Sequence, residues 1–513
     1  MISLMEPNVG FTFEQVKELS VPQCFRDLNL NLYTETFAAN EYAEELVPYF
    51  YYFPKSLAET EYRQEVSKDL SDPEIRACVG RFVTGIGIAE RYLEYSEKVT
   101  SSVQKSKWRL DTITQFYNSI ERFCFDLNTY PPKSKAFYGL HQELSNLLSN
   151  PEVVAIRKKA SEINAEFDKF RFHMVINKER ATLDFLYKED DYCSEIRSEF
   201  AKNENDKDEH TFTESPFGDM MIAPLEEFIL NQFMKRDRVL FRDLETFCGI
   251  RREIITTDIL DLIRELRFYT INLEYFEKMQ QKNFPFSFPK ISTDSEIYLD
   301  DCYDLVLAAK NYAEKKEVVF NDIVKSSSEK AIVITGPNQG GKTTLARAFG
   351  QCCYLGMMGF PISAGVAKLP YFDHIFTQFA STAGVGVEGR LEHELNGVSE
   401  ILSNMTKRSL ILFNELFTSA PTVDALTMMR DLLDKILRCG AVCLVVTHTF
   451  ELAGDSPDYV SLVATVVEDG SYRRTYRIIR KSADGIAYAN SIVGKYKLDF
   501  QHINYRLNKG NKA

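Results

Sequence analysis
Between Met1 and about Asn283 the apolar residues of this chain recur mostly at helical spacing. After Pro151, the residues Val153, Ile156, Ala160, Ile163, Phe167 and Phe170 follow one another at steps of three and four, which places them on one face of an amphipathic helix. A second run, Ile259, Ile263, Leu266, Thr270, Leu273 and Phe276, keeps that period until Pro285 and Pro289, whose missing N–H groups end it. No proline interrupts Leu225 to Phe284, so the helices here are expected to be long, giving an extended, levered shape. Between the two runs, "HMVINKERATLDFLY" carries β-branched residues on either side of a polar tetrapeptide and suits a small hairpin or a frayed helix. Asn203 to Gly218 is polar, acidic and without period, as a solvated loop would be.

From roughly Ile297 the pattern changes to short apolar runs alternating with helical segments: "AIVIT", "SLILF", "AVCLVVT" and "YVSLVATVV". Runs rich in Val, Ile and Leu, without strict alternation, fit strands buried on both faces of a largely parallel sheet. The expected fold is therefore an α-helical core and lever region followed by an α/β P-loop NTPase domain. Its spans read as residues 1–125 for the start of the helical core and 126–295 for core and lever helices with a clamp-like hairpin. Residues 296–500 form the nucleotide domain, and 501–513 a basic tail with Arg506, Lys509 and Lys512, expected to be disordered.

Composition changes this picture little. At 513 residues, 44% hydrophobic and 26% charged, the chain has the makeup of a protein with several buried cores. It has no apolar run long enough to span a bilayer, and "MISLMEPNVGFTFEQ" has neither a basic start nor an unbroken apolar stretch, so a cytoplasmic protein without membrane contact is expected. The ten cysteines lack C-x-x-C spacing and read as isolated buried thiols. A net charge of −13 argues against a surface coated in positive potential, while leaving room for a local basic region.

The chemistry enters after the strand Ala331 to Thr335. There "GPNQGGKT", comprising Gly336, Pro337, Asn338, Gln339, Gly340, Gly341, Lys342 and Thr343, fits G-x-x-x-x-G-K-[ST] and is followed by Thr344 and a helical segment. Glycines let the backbone curl with its N–H groups turned toward phosphate, Lys342 adds a point charge, and Thr343 offers a hydroxyl to Mg²⁺. A second strand must reach the metal's water shell and carry a base for the attacking water, and Asn414 and Glu415 end such a strand. The next strand ends in Thr447 and His448, where a histidine could sense the terminal phosphate or merely satisfy a hydrogen bond.

Together, "ITGPNQGGKTTLARAFGQ", "GFPISAGVAKLPYFDHIFTQF", the acidic helix before the Asn414 strand and "VVTHTFELA" resemble the ATPase domain of the MutS family of DNA mismatch-repair proteins, within the ABC class of ATPases, across about Val318 to Ile492. "CFRDLNLNLY" and "AETEYRQEVSKDL" resemble the start of that family's core domain, and Asp484 to Leu498 its closing helix. The resemblance implies ATP and Mg²⁺ as cofactors, with Asn338, Gly341, Lys342 and Thr343 on the phosphates and metal, Glu415 as catalytic base and His448 as switch residue. It also implies an adenine contact within Val318 to Asn321, with Phe320 and Asn321 as the candidates, and a homodimer with composite sites in which Asp424 meets the other subunit.

Departures from the family pattern sharpen the expectations. Asn414 replaces an aspartate, exchanging a charge-assisted hydrogen bond of roughly 1.5 to 3 kcal/mol for a neutral one near 1, so Mg²⁺ binding should weaken and hydrolysis be slow. Where the family's serine-containing signature helix faces the partner's phosphate stand Gly389, Arg390 and Leu391, and Arg390 is either a cation acting in trans or a surface arginine. The sequence opens at the resemblance to the core, so a divergent branch without mismatch-recognition and connector domains is expected. Double-stranded or branched DNA would be gripped by a dimer, with phosphate contacts from Lys105, Lys107 and Arg109 or from Arg157, Lys158 and Lys159 unless these are solvated faces, and a downstream protein partner is possible. Two alternatives stay open: an ABC-type switch that acts on a protein without touching DNA, and a nucleotide switch that hardly hydrolyses ATP.

Overall fold
The structure, a computed structural model, describes residues 3–7, 11–37, 42–177, 180–185, 223–250, 254–380, 387–454, 456–467, 473–483, 498 and 500–510. The chain divides into two compact units, one of Met1–Pro73, Lys133–Tyr138 and Asp261–Ala513, the other of Glu74–Pro132 and Gly139–Leu260. Each unit draws on separate stretches of chain, a division that texture along the sequence does not mark.

In chain order the helices that matter here are α1 (Cys24–Asp27), α2 (Leu57–Leu70), α3 (Pro73–Lys98), α4 (Ser102–Thr129), α5 (Lys135–Ser149), α6 (Pro151–Phe167), α7 (Ala223–Arg236), α8 (Arg238–Gly249) and α9 (Thr257–Gln280). The two helices expected from apolar spacing are α6 and α9. Val153, Ala160 and Ile163 of α6 are buried, whereas Phe170 falls beyond the helix and stacks on Phe233 with ring centroids 4.3 Å apart. Ile163 joins Leu110, Ile113, Leu240, Phe241 and Leu244 in the core of the second unit. The tetrapeptide that left hairpin and frayed helix open is a hairpin: β1 (Phe172–Asn177) pairs antiparallel with β2 (Arg180–Phe185), Asn177 opposite Arg180.

The first unit contains two sheets. Strands β3 (Lys290–Ser292), β4 (Ile297–Cys302), β5 (Asn321–Lys325) and β7 (Val366–Pro370) form a four-stranded sheet in the order β3-β7-β4-β5. Strands β6 (Ala331–Thr335), β8 (His374–Phe379), β9 (Ser409–Asn414), β10 (Val442–Val446), β11 (Tyr459–Val466) and β12 (Arg474–Arg480) form a six-stranded sheet, ordered β12-β11-β6-β10-β9-β8. All neighbours in it run parallel except the edge pair β11 and β12. Every residue of β6, β9 and β10 is buried, which explains their unbroken apolar runs. This is the mixed α/β architecture expected for the second half, with helices α10 (Leu305–Ala313), α11 (Lys342–Met357), α12 (Val387–Asn404) and α13 (Thr422–Cys439). On one face Leu432, Leu433 and Ile436 of α13 pack on Ile411, Phe413 and Val445.

Helix α11 is buried along nearly its whole length, and α1 fixes it from the N-terminal segment. Arg347 Nε donates to the carbonyl of Asp27 at 2.9 Å and Gln351 Nε2 to that of Leu28 at 2.8 Å. Asp27 in turn accepts from Thr377 Oγ1 of β8 at 2.8 Å, so the first turn of "CFRDLNLNLY" spans helix and sheet. Gly350 makes this approach possible, because a Cβ there would lie 2.3 Å from Leu28 Cδ2.

The chain end differs from expectation: Arg506 and Lys509 lie on a helix, Phe500–Gly510, not in a disordered tail. The segment carries no proline or glycine before Gly510, so nothing in it breaks a helix once begun. The solvated loop expected at Asn203 to Gly218 and, Leu498 apart, the closing helix expected at Asp484 to Leu498 fall outside the described residues. The nine described cysteines are free, and eight of them are buried. Among the described residues no helix is long and apolar enough to cross a membrane.

Candidate functional site
In the order β6-β10-β9, three adjacent parallel strands end together, and each hands over a polar segment: the glycine-rich loop after β6, Thr447 and His448 after β10, Asn414 and Glu415 at β9. The carboxyl ends of parallel strands are where an α/β sheet presents chemistry. The loop reaches its shape through residues with positive φ, Gly336 at 121°, Gln339 at 59° and Gly341 at 94°. Its back is closed as well. A Cβ on Gly336 would sit 2.9 Å from the Ala464 carbonyl, and one on Gly340 equally close to the Pro337 carbonyl, so the loop curls as far as side-chain-free backbone permits.

Lys342 opens α11 and is 4% exposed. Its ammonium donates to the carbonyls of Gly336 (3.0 Å) and Pro337 (3.1 Å), spanning the concavity it closes. Burial lowers its pKa from the ordinary lysine value, Glu415 opposes the shift, and the nearby positive charge of Arg474 adds to it. An ammonium held, among the described residues, by backbone carbonyls alone, beside curled backbone at a helix N-terminus, is the donor set a phosphate chain fits.

Thr343 Oγ1 donates to Asn414 Oδ1 at 2.8 Å, so the two residues proposed for Mg²⁺ are in direct contact. A hydroxyl and an amide oxygen are hard, neutral ligands that suit Mg²⁺ without supplying charge. Next to them Glu415 has φ 56°, a left-handed conformation that costs a non-glycine residue of order 1 kcal/mol or more. Its N–H donates to the Val446 carbonyl at 2.9 Å, tying the strained turn to β10. The side chain meets His448, with Nε2 2.7 Å from Oε1. That hydrogen bond, more than the charges of His448 and Lys342, holds the carboxyl below its ordinary pKa against the opposing effect of burial.

A cavity of about 530 Å³ opens in front of the loop. Gln339, Gly341, Lys342, Thr343, Thr344 and Glu415 line one end, and Leu307, Val318, Val319, Asn321 and Tyr476 belong to the same lining. Of the expected adenine contacts, Val318, Val319 and Asn321 reach it. Phe320 does not: its ring packs against Tyr303 at 5.2 Å, within an aromatic cluster. Asn321 has both amide atoms engaged on β12, Nδ2 donating to the Tyr476 carbonyl (3.1 Å) and Oδ1 accepting from Ile478 N–H (2.7 Å). Sequence reading missed Tyr476 and Arg474. No alternation in "RRTYRIIR" marks them, and the positive φ of Tyr476 interrupts the strand's period of two.

The residues read as meeting a partner lie elsewhere. Asp424 stands exposed in the first turn of α13, beside Val423, which is 76% exposed. Arg390 is partly buried on α12, and its charge acts on Glu394 of the same helix. Glu394 accepts from the Phe417 N–H at 2.9 Å, linking α12 to the turn that follows Glu415.

Residues 332–493 match the family model of MutS domain V. Three curated relatives are DNA mismatch repair proteins MutS. That of Fervidobacterium nodosum is 25% identical over 301 residues, 55% of this chain and 35% of the relative. That of Thermotoga neapolitana is 30% identical over 177 residues, 34% of this chain and 22% of the relative. That of Lactobacillus delbrueckii subsp. bulgaricus is 27% identical over 257 residues, 47% of this chain and 29% of the relative. The chain thus spans about a third or less of the length of the relatives it matches.

Proposed function
Since domain V makes this chain a member of the MutS family, we propose that it is an ABC-class ATPase that closes as a homodimer on DNA when ATP is bound. The observation that carries this reading is the convergence of Lys342, Thr343, Asn414, Glu415 and His448 at the ends of three neighbouring strands beside one cavity. Thr343 and Asn414 would hold Mg²⁺, which when bound neutralises charge on the phosphates. Lys342 exchanges its two loop carbonyls for phosphate oxygens. Glu415, kept ionised by His448, accepts a proton from the attacking water, and His448 holds the carboxylate in line. Asp424 and Arg390 are the proposed partner-facing residues, and the dimer is needed for a complete site.

The test is ATP turnover by the purified chain, together with binding to duplex, branched and mismatched DNA with and without ATP across a salt titration. Turnover lost in Lys342→Ala and a salt-dependent, ATP-dependent DNA affinity are expected; a salt slope near zero removes the DNA contact.

A second reading, an ATPase whose helical unit holds a protein instead of DNA, is favoured by one observation. The basic clusters of the second unit are largely ion-paired: Lys105 and Arg109 with Glu97, Lys107 with Asp111, Arg157 with Glu121, and Lys159 with Asp243. Cations already matched by carboxylates offer little net field to a phosphate backbone. ATP turnover without DNA binding at any salt would decide for this reading.

A further inference from the structure
The edge strand β12 brings a second cation to the glycine-rich loop. Arg474 pairs opposite Val466, just past the bulge that shifts the β11 register after Ala464. Its Nε donates to the Asn338 carbonyl at 2.6 Å. Asn338 follows Pro337, whose carbonyl accepts from Lys342, so guanidinium and ammonium grip the same turn, one from strand β12 and one from the start of helix α11. Among the described residues, Nε is the one guanidinium nitrogen of Arg474 with a hydrogen-bond partner, which leaves both terminal nitrogens uncommitted.

Resting on the ATP reading above, we propose that Arg474 is a phosphate-binding residue supplied by the same chain, acting with Lys342 to neutralise the phosphates of a bound nucleoside triphosphate while its Nε braces the loop. The irregularity serves this arrangement: three β12 residues, Thr475, Tyr476 and Arg477, lie between the pairs that flank Thr465 of β11, and such a break in the ladder re-aims side chains beside it, here at Arg474. A bracing role alone would be met by any neutral donor. A charge role requires a cation, and it favours the triphosphate over the diphosphate because the triphosphate is the more negative.

The test measures affinity for ADP and for a non-hydrolysable ATP analogue, both with Mg²⁺, by displacement of a fluorescent nucleotide from the full chain and from Arg474→Lys, Arg474→Gln and Arg474→Ala. Arg474 is only partly buried, so its loss should leave the fold intact, as a thermal melt without nucleotide would verify. Arg474→Gln and Arg474→Ala are expected to weaken the analogue ~10-fold more than ADP, as loss of one charge-assisted bond would, and Arg474→Lys to keep most of the preference. Equal losses for the two nucleotides, or an Arg474→Gln protein that binds like wild type, overturn the proposal. If the alanine variant does not fold, the Lys and Gln pair still decides. Wild-type protein that binds neither nucleotide refutes the ATP reading itself, an outcome distinct from any effect of Arg474.

Discussion

The hydroxyl of Thr343 donates to the side-chain oxygen of Asn414 across 2.8 Å, joining the first turn of α11 to the last residue of β9. Asn414 is 8% exposed, and its backbone carbonyl accepts from Ala380 N–H at 3.1 Å, so the amide is fixed at the point where a carboxylate would add charge. Replacing it by aspartate keeps shape and acceptor while adding the missing charge. Asn414→Asp should lower the Mg²⁺ concentration that half-saturates ATP turnover by roughly 2- to 30-fold, the span between neutral and charge-assisted hydrogen bonds. A Mg²⁺ titration of turnover checks this; an unchanged midpoint would detach Asn414 from the metal.

The pairing of Glu415 with His448 sets the acid side of the pH profile. A carboxyl held below its ordinary pKa stays ionised as pH falls, so the base remains competent further into acid than an ordinary glutamate would. Removing the imidazole lets the pKa rise, and the acid limb of turnover should move to higher pH in His448→Ala. Glu415→Gln should reduce turnover ~100-fold or more at every pH while nucleotide affinity stays within a few-fold. Rate profiles of the three proteins separate the roles: a limb that does not move in His448→Ala means the histidine does not tune the base.

The close approach of α1 to α11 can be tested without touching the site. A methyl group added at Gly350 would meet fully buried Leu28, so Gly350→Ala should cost about 1 to 3 kcal/mol of stability through overpacking. Leu28→Ala alone leaves a cavity and costs about 2 to 5 kcal/mol. The double variant should lose clearly less than the sum, because the new methyl fills space that the leucine vacates. Denaturant melts of the four proteins give the coupling, and strict additivity would contradict the packing described.

Much of the nucleotide site could be read in the sequence because its parts are local. Curled glycines, a lysine and a hydroxyl sit in one octapeptide between a buried strand and a helix, and Asn414 and Glu415 end an apolar run. The helices α6 and α9 were equally legible, since an apolar stripe at steps of three and four survives any tertiary context. The four-stranded sheet was not. β3 has three residues, and β5 buries Asn321 and Lys325 alongside Ile323, so neither shows an apolar signature. Pairings across long sequence separations were hidden too, such as Arg474 with Asn338 or Arg157 with Glu121, because periodicity carries no information about which distant residue a side chain meets. The left-handed backbone of Glu415 was hidden for another reason: nothing in the side chain asks for it, and β10 imposes it through the bond to Val446.

Asn321 offers the most direct way to separate cavity shape from phosphate chemistry. Its amide donates to the Tyr476 carbonyl and accepts from Ile478 N–H, so one side chain on β5 takes the place of a ladder rung for β12. Tyr476 has φ 57° and lines the cavity, which makes this clip responsible for where the edge strand presents its side chains. Alanine at 321 removes both bonds and leaves a donor and an acceptor without partners, at a cost of about 1 to 3 kcal/mol each where water cannot reach. Aspartate keeps the acceptor for Ile478 but sets a second oxygen against the Tyr476 carbonyl, so it should loosen β12 at least as much as alanine despite its near-identical shape. Hydrogen exchange at the Ile478 amide should accelerate in both variants, and nucleotide affinity should fall with it while the Mg²⁺ midpoint, set at Thr343 and Asn414, holds. Faster exchange with unchanged affinity would mean that β12 borders the cavity without contributing to binding.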